Sequence, residues 1–349
     1  MIATIILSIL LLLSFVGSLV SSFFDVIAGA ESLGATTHLQ EVVVEHGRSG
    51  DKIAVIPVEG IITSSGLQGG GYSMVKLIED QLKLAAKDDR VKAVLLKVNS
   101  PGGEVLASDD IYNAIIKFQN ENNKPVIASM GSLAASGGYY VSAPCRWIVA
   151  NELTITGSIG VIMHAYNYRG LMNKVGLRPM VYKSGKFKDM LSGEKDLENA
   201  TPAEKAEIEE EEAMVTKMVN ETFDKFKSIV AEGRKFSSNR NQLNKGGDTG
   251  RELSSKWASY ADGRILSGKE AHEHGFVDEL GNWRTAVRRA EKLAGIQNAH
   301  LVTYQMPFNL GNLFSLFGKA ETRSIKVDLG FDIPKISAGL YYLSPTFAH

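Results

Sequence analysis

Short apolar runs alternate with amphipathic stretches along the first half of the chain, and this alternation constrains the fold more than any other feature. The runs Ile53–Val58, Val91–Val98 and Val126–Met130 have the length of buried strands. Between them, Met74–Lys87 and Ser108–Phe118 carry apolar residues at helical spacing. Strands that are separated by helices run parallel, because the chain crosses back over the sheet between them. The sequence therefore predicts an α/β fold with a largely parallel sheet.

The stretch Gly131–Tyr140, in which Gly, Ala and Ser predominate, follows the third predicted strand. A strand that passes into a helix through such residues turns tightly and can lift one side chain clear of the backbone, and we place Ser136 there. Glycines after Ser136 allow another segment to approach, and the first N–H groups of a helix point at an incoming oxygen. An acyl-transfer nucleophile needs these features. The alternative for this stretch alone is a helix packed closely on the sheet through Ala and Gly.

Composition excludes several classes of function. The chain has 349 residues with 38 Lys plus Arg and 39 Asp plus Glu, so no excess of charge indicates a nucleic-acid partner. Its single cysteine, Cys145, excludes an internal disulfide and a multi-cysteine metal site. The apolar surroundings of Cys145 predict a packed core thiol. The seven histidines show no spacing typical of a metal site or of a Cys/His pair.

The N-terminus predicts a membrane anchor. No charged residue occurs from Ile2 to Phe24, and a helix of this length spans about 34 Å, enough to cross a bilayer core. A cleavable signal peptide is the alternative, because Ala28–Ala30 has the small-x-small form of a cleavage site. No Lys or Arg precedes Arg48, so we expect a single-pass protein of the cell membrane with most of the chain outside the cytoplasm.

A serine nucleophile needs a base to take its proton. His164 lies in an apolar stretch and is predicted to pack rather than to act on Ser136. Lysine is the other choice, and since a free lysine has a pKa of about 10.4, burial would have to lower that pKa. Lys183, Lys186 and Lys188 lie in one short turn-like segment. Their spacing does not choose among them.

The second half of the chain has a less regular pattern. Arg178–Lys183 resembles an exposed or half-buried strand, and Pro202 begins a long helix. The acidic run Glu204–Glu212 near the start of that helix suits the helix dipole and predicts a solvated face rather than a cation site. Ser237–Lys256 is polar and glycine-rich, which predicts a surface excursion. Trp283–Leu293 is an amphipathic helix that closes the domain.

Four short motifs occur in chain order: Asn99–Gly103, Ala134–Tyr140, Thr156–Gly160 and Lys183–Asp189. Together they resemble the signal peptide peptidase (protease IV) family of serine peptidases, and the block Gly263–Gly281 is similar to the one that follows in that family. The resemblance extends from about residue 53 to residue 293. It implies an α/β fold of the Clp/crotonase type with a repeated ββα core behind the N-terminal transmembrane helix.

The resemblance also implies roles for individual residues. Ser136 corresponds to the nucleophile, and Lys188, directly before an aspartate, corresponds to the general base. Ser158 matches a serine that orients the lysine. The backbone N–H groups of Gly103 and Gly137 would form the oxyanion hole. No cofactor and no metal is implied.

The activity implied is that of a membrane-anchored serine endopeptidase with a Ser/Lys dyad. Its substrates would be apolar peptides such as signal-peptide remnants, and its subunits would form a ring in which neighbours complete each site. A crotonase-fold acyl-CoA enzyme is one alternative, although such enzymes use acidic catalysts and need no membrane anchor. A non-catalytic membrane scaffold of the same fold is the other.

The sequence predicts four regions: an anchor at 1–26, a linker at 27–50, the peptidase domain at 51–296 and a C-terminal tail at 297–349. The tail contains Met306–Phe317, twelve residues without charge that are dense in Phe and Leu. Such a segment either packs on the sheet or lies in an apolar groove or at a lipid surface. We expect the tail to dock on a substrate groove, its own or a neighbour's, or on the lipid near the anchor.

Overall fold

The computed structural model describes residues 39–65, 72–242 and 248–306, and the backbone of 341–343. These residues belong almost entirely to one unit, residues 41–304 with 322–349, while a second unit comprises 1–40 and 305–321. The predicted anchor and most of the apolar tail segment lie outside the described residues. Among the residues that are described, no helix combines the length and the apolar character needed to cross a membrane.

Eleven strands and seven helices make up the described fold. The strands are β1 Gln40–Glu45, β2 Lys52–Glu59, β3 Val91–Ser100, β4 Gly102–Glu104, β5 Val126–Ala135, β6 Trp147–Ala150, β7 Ile155–Gly157, β8 Ile265–Ser267, β9 Glu279–Leu280, β10 His300–Gln305 and β11 Tyr341–Leu343. The helices are α1 Met74–Lys87, α2 Val105–Asn122, α3 Gly137–Ser142, α4 Arg169–Lys174, α5 Pro202–Gln242, α6 Gly268–Glu273 and α7 Trp283–Ala294, with a 3₁₀ turn at Trp257–Ser259.

Nine of the strands form one sheet, in the order β1-β10-β2-β3-β5-β6-β9, with β7 beside the end of β5 and β8 beside β7. Strands β10, β2, β3, β5, β6 and β9 pair in parallel, and β8 is antiparallel to β7. The parallel sheet predicted from the alternation of strands and helices is confirmed. Strands β4 and β11 form a separate antiparallel pair.

Helices cover the sheet, and both of its faces are buried. Helix α7 lies against one face, where Ala286 and Ala290 belong to the same buried cluster as Leu95 and Ile127. Residues on the alternate positions, such as Leu96, point to the opposite face and are also fully buried. Helix α1 packs on β2 and α2, and α3 packs on β3 and β5. Buried parallel strands therefore hold the turns that follow them at one edge of the sheet.

Local sequence sets the ends of the helices. Ser73 Oγ accepts a hydrogen bond from Lys76 N at 3.2 Å and begins α1. Asn282 forms a capping box with Thr285 at the start of α7, and Gly295, with φ of 69°, ends it. Helix α1 has the bounds predicted from the sequence, and α7 extends one residue further than predicted.

Three expectations differ from the structure. Helix α5 continues to residue 242, so the predicted surface excursion is wrong for its first six residues. The reason is that Asn241 is buried, with Oδ1 accepting from Arg146 Nε at 2.9 Å and Nδ2 donating to Arg146 O at 2.9 Å.

The second difference is the predicted strand at 178–183. These residues form no strand and are largely exposed. Strand β10 lies between β1 and β2 with Leu301 and Val302 buried, so the sheet continues past residue 296.

Candidate active site

Ser136 stands at the junction between β5 and α3, where the sequence places it. Its backbone has φ of 55° and ψ of −118°, a conformation that costs a non-glycine residue about 1–3 kcal/mol. Two hydrogen bonds hold this conformation: Ser136 N donates to Gly157 O at 2.8 Å, and Tyr140 N donates to Ser136 O at 2.9 Å. The sheet and the first turn of α3 therefore impose the sharp turn on Ser136.

The Ser136 hydroxyl is buried and unpaired. Its side chain is 0 % exposed, and Oγ has no hydrogen-bond partner among the described residues. An unsatisfied buried polar group costs about 1–3 kcal/mol, which a fold retains where function requires it. Among the described residues, no base therefore lies within hydrogen-bonding distance of the Ser136 hydroxyl.

Two glycines bring a second segment close to this turn. A Cβ on residue 137 would lie 2.7 Å from Ser108 Oγ and 3.1 Å from Gly103 N. A Cβ on residue 103 would lie 1.9 Å from Ile62 O, so only glycine fits there. The structure therefore brings together the backbone of Gly103 and Gly137, the two residues predicted to form the oxyanion hole.

The direction of the Gly103 N–H follows from its neighbours. Ile62 N donates to Gly102 O at 2.9 Å, and Glu104 N donates to Ile62 O at 2.8 Å. Polar groups of successive residues in a strand point to opposite sides. The N–H and C=O of Gly103 therefore point away from Ile62, toward the edge of β4 that pairs with β11.

Ser158 lies on the strand segment next to the nucleophile. Ala135 on β5 pairs with Gly157 on β7, so Ser158 directly follows the residue that accepts the Ser136 N–H. It is buried, with φ of 50°, and its N donates to Arg264 O at 2.7 Å. Ser158 also lines a cleft of about 270 Å³. The structure thus places it where a group entering that cleft would meet it.

Lys188 is exposed and lies in an irregular segment between α4 and α5, where its N donates to Gly185 O at 3.2 Å. Because Ser136 Oγ has no partner in the described chain, the Lys188 amine is not within hydrogen-bonding distance of it. A single chain does not assemble the dyad, and Lys188 stays a predicted base. His164 is exposed as well, so the prediction that it packs in the interior is wrong.

A network of charges ties the lysine-bearing segment to α5. Lys183 Nζ lies 2.8 Å from an oxygen of Asp189 and 2.9 Å from one of Glu207, and Lys195 pairs with Glu211. The hydrogen bond from Lys183 holds the pKa of Asp189 below its usual value. Carboxylate oxygens of Asp189, Glu207 and Glu211 lie within 4.8 Å of one another. Lysine amines already neutralise these carboxylates, so the cluster is an ion-pair network. Sequence reasoning missed this network, although the four-residue spacing of Glu207 and Glu211 was a sign of it.

A buried ion pair between Arg234 and Asp278 lies behind α3. Asp278 also accepts from Ile148 N at 2.8 Å, which joins β6 to the chain before β9. Tyr139, three residues after Ser136, donates a hydrogen bond from its hydroxyl to Phe276 O at 2.9 Å.

Cys145 is fully buried, and burial raises the pKa of its thiol, so the predicted packed core thiol is confirmed.

A parallel α/β sheet whose strand-to-helix turn carries a serine beside the backbone of two closely packed glycines is typical of an acyl-transfer site on a Clp-like fold. The Clp protease family model matches residues 68–147. The model of peptidase family S49 matches residues 118–297, about half of the chain. The chain belongs to peptidase family S49, and the resemblance found in the sequence is confirmed.

Three relatives illustrate the match. A putative protease of Methanocaldococcus jannaschii is 39% identical over 66% of this chain and 65% of its own length. A putative signal peptide peptidase of Enterococcus faecium is 35% identical over 77% of this chain and 72% of its own. Protease 4 of Haemophilus influenzae is 34% identical over 72% of this chain, which spans only 36% of that protein.

Proposed function

We propose that the chain is a membrane-anchored serine endopeptidase that hydrolyses apolar peptides such as cleaved signal peptides. The observation that carries the proposal is the buried, unpaired hydroxyl of Ser136 on a strained turn beside Gly103 and Gly137, in a member of a peptidase family. The substrate class is supported by the printed name of a relative, a putative signal peptide peptidase. The uncharged run at residues 2–24 supports the anchor.

The chemistry follows from these groups. A neutral Lys188 amine takes the proton of Ser136 as Oγ attacks the scissile carbonyl carbon. Negative charge develops on the carbonyl oxygen, where N–H groups of Gly103 and Gly137 stabilise it by a few kcal/mol. The amine product leaves with the proton from Lys188, and water then hydrolyses the acyl-enzyme by the reverse proton path. Ser158 orients the lysine amine.

A neighbouring subunit supplies the lysine in this proposal. Lys188 is exposed, whereas Ser136 is buried and its Oγ has no partner among the described residues. Large apolar side chains at residues 166–182, which lead into the segment with Lys188, are more than half exposed, as expected for a surface that another protein covers. They are Tyr166, Leu171, Val175, Leu177, Met180, Val181 and Tyr182. Docking of this segment on the next copy would complete each site and close a ring.

The test uses the full-length chain in detergent with a fluorophosphonate probe and an apolar peptide substrate. Ser136→Ala should abolish both probe labelling and peptide cleavage. Ser132→Ala is the matched control, since Ser132 lies on the same strand, is exposed and should be dispensable. Cleavage by the Ser136→Ala variant at the wild-type rate would overturn the proposal.

A lysine base also determines the pH dependence. Only the neutral amine accepts a proton, so kcat/KM should rise with pH as the base loses its proton. A rate that is constant from mildly acidic to alkaline pH would contradict a lysine base.

The anchor is tested by topology. Protease added to intact spheroplasts should digest the catalytic domain, because the proposal places it outside the cytoplasm. Protection of the whole domain until the membrane is lysed would reverse the orientation.

A further inference from the structure

The ammonium group of Lys183 is enclosed by hydrogen-bond acceptors. Lys183 Nζ donates to Lys186 O at 2.8 Å, to an oxygen of Asp189 at 2.8 Å and to an oxygen of Glu207 on α5 at 2.9 Å. An ammonium has three N–H donors, so each of them has one partner. We propose that Lys183 is a positioning residue, which folds the segment that carries Lys188 into a closed turn and fixes that turn to α5.

Two of the three contacts close the turn, which spans residues 183–189, on itself. Lys183 lies at its start, Asp189 lies at its end, and the carbonyl of Lys186 lies between them. The chain from residue 175 to residue 201 contains no helix or strand, so side-chain contacts of this kind determine its local shape. Because Asp189 directly follows Lys188, the carboxylate that Lys183 holds fixes the backbone beside the predicted base.

The third contact joins the turn to α5 through a balance of charge. Lys195 pairs with Glu211 on the same helix and lies 3.6 Å from Asp189 and 3.8 Å from Glu207. Two lysines therefore face three carboxylates. Without Lys183, one ammonium would face all three, and repulsion between Asp189 and Glu207 would move the turn away from the helix.

These contacts make Lys183 unsuited to act as the general base itself. Hydrogen bonds to Asp189 and to Glu207 raise the pKa of Lys183 above its usual value, whereas a lysine base must lose its proton near the working pH. The inference deepens the proposed function and rests on it, since it takes Lys188 as the base. Lys183 then acts on the reaction only through the position of that amine.

Hydrogen exchange tests the position of the turn without any activity. In full-length Lys183→Met protein in detergent, the amides of residues 185–192 should exchange about five- to thirtyfold faster, the change expected from the loss of two net hydrogen bonds. Lys186→Met is the matched control. Among the described residues, Lys186 Nζ pairs with Glu210 on α5 and makes no hydrogen bond within the turn, so exchange should stay at the wild-type rate.

One outcome of the exchange experiment would overturn the inference, whether or not the protein is a peptidase. It is a wild-type exchange rate for residues 185–192 in the Lys183→Met variant. Exchange in the buried part of α5, residues 226–234, should be the same in all variants, because that part of the helix lies outside the charge network.

Kinetics with a conservative variant distinguish a positioning residue from a base. Arginine can donate to the same acceptors but does not give up its proton, so Lys183→Arg should restore most of the wild-type kcat. Lys183→Met should lower kcat about 10–100-fold with KM unchanged, since a small displacement of a catalytic group has effects of this size. A Lys183→Arg variant as inactive as Ser136→Ala would show that Lys183 is the base and would overturn the inference.

The results separate this inference from the proposed function. Faster exchange of the turn together with wild-type kcat in Lys183→Met would refute the positioning role and leave the peptidase intact. Full cleavage by Lys188→Ala would refute the proposed base, while hydrogen exchange would still report whether Lys183 holds the turn.

Discussion

Replacement of Gly137 by alanine tests whether the backbone of Gly103 must approach the nucleophile turn closely. The new Cβ would lie 3.1 Å from Gly103 N and 2.7 Å from Ser108 Oγ. Carbon contacts prefer about 3.5–4.0 Å, so the Gly103 backbone would have to retreat by several tenths of an ångström. The hydroxyl of Ser108 can rotate away, but the backbone nitrogen of Gly103 is held by the hydrogen bonds of its neighbours to Ile62.

Two effects on stability oppose each other. Overpacking costs about 1–3 kcal/mol, while alanine in a helix is favoured over glycine by about 1 kcal/mol. We therefore expect the free energy of unfolding of Gly137→Ala to fall by no more than about 2 kcal/mol.

The effect on catalysis should be larger. Loss of a whole oxyanion-hole donor lowers kcat by about 10²–10³, so displacement of the Gly103 N–H should lower kcat by about 10–100-fold.

The assay combines urea unfolding with kcat for the apolar peptide. Gly50→Ala is the matched control, because Gly50 lies outside the helices and a Cβ there meets nothing within 4 Å. Its kcat should stay at wild type, and its free energy of unfolding should change by no more than about 1 kcal/mol. Ser108→Ala/Gly137→Ala removes the shorter contact and should recover stability without recovering kcat. Wild-type kcat in Gly137→Ala would refute the close approach of Gly103 as a requirement for catalysis.

Two further predictions concern the base and the buried ion pair. Lys188→Ala should abolish cleavage while Lys186→Ala retains it, and mixing inactive Lys188→Ala and Ser136→Ala chains should restore some activity if neighbours complete the site. No recovery on mixing, after verified subunit exchange, would contradict a shared site. Arg234→Met leaves the fully buried carboxylate of Asp278 without its partner and should lower the free energy of unfolding by about 3–5 kcal/mol, measured in urea. A loss below about 1 kcal/mol, the value for surface pairs, would show that water reaches the site.

Local patterns were sufficient for much of the fold and for the turn that carries Ser136. Apolar runs and helical spacing predicted the parallel sheet, because burial on both faces requires such runs. The small residues around Ser136 predicted the turn at the end of β5, since only small residues allow a strand to meet a helix there. The glycines at 103 and 137 belong to motifs, and the structure brings them together because the ends of neighbouring parallel strands share one edge.

Tertiary structure decided what depends on partners far apart in the chain. No local pattern predicts that Arg234 and Asp278 pair in the interior. Asn241 is buried because Arg146 satisfies its side-chain amide. Strand β10 enters the sheet beside β2, and residues 341–343 reach β4, through pairings that carry no local pattern. Lys188 is exposed and makes no hydrogen bond to Ser136 Oγ in the single chain, an arrangement that no sequence motif predicted. Hydrogen bonds between distant segments carry no sequence periodicity, so only the assembled chain determines them.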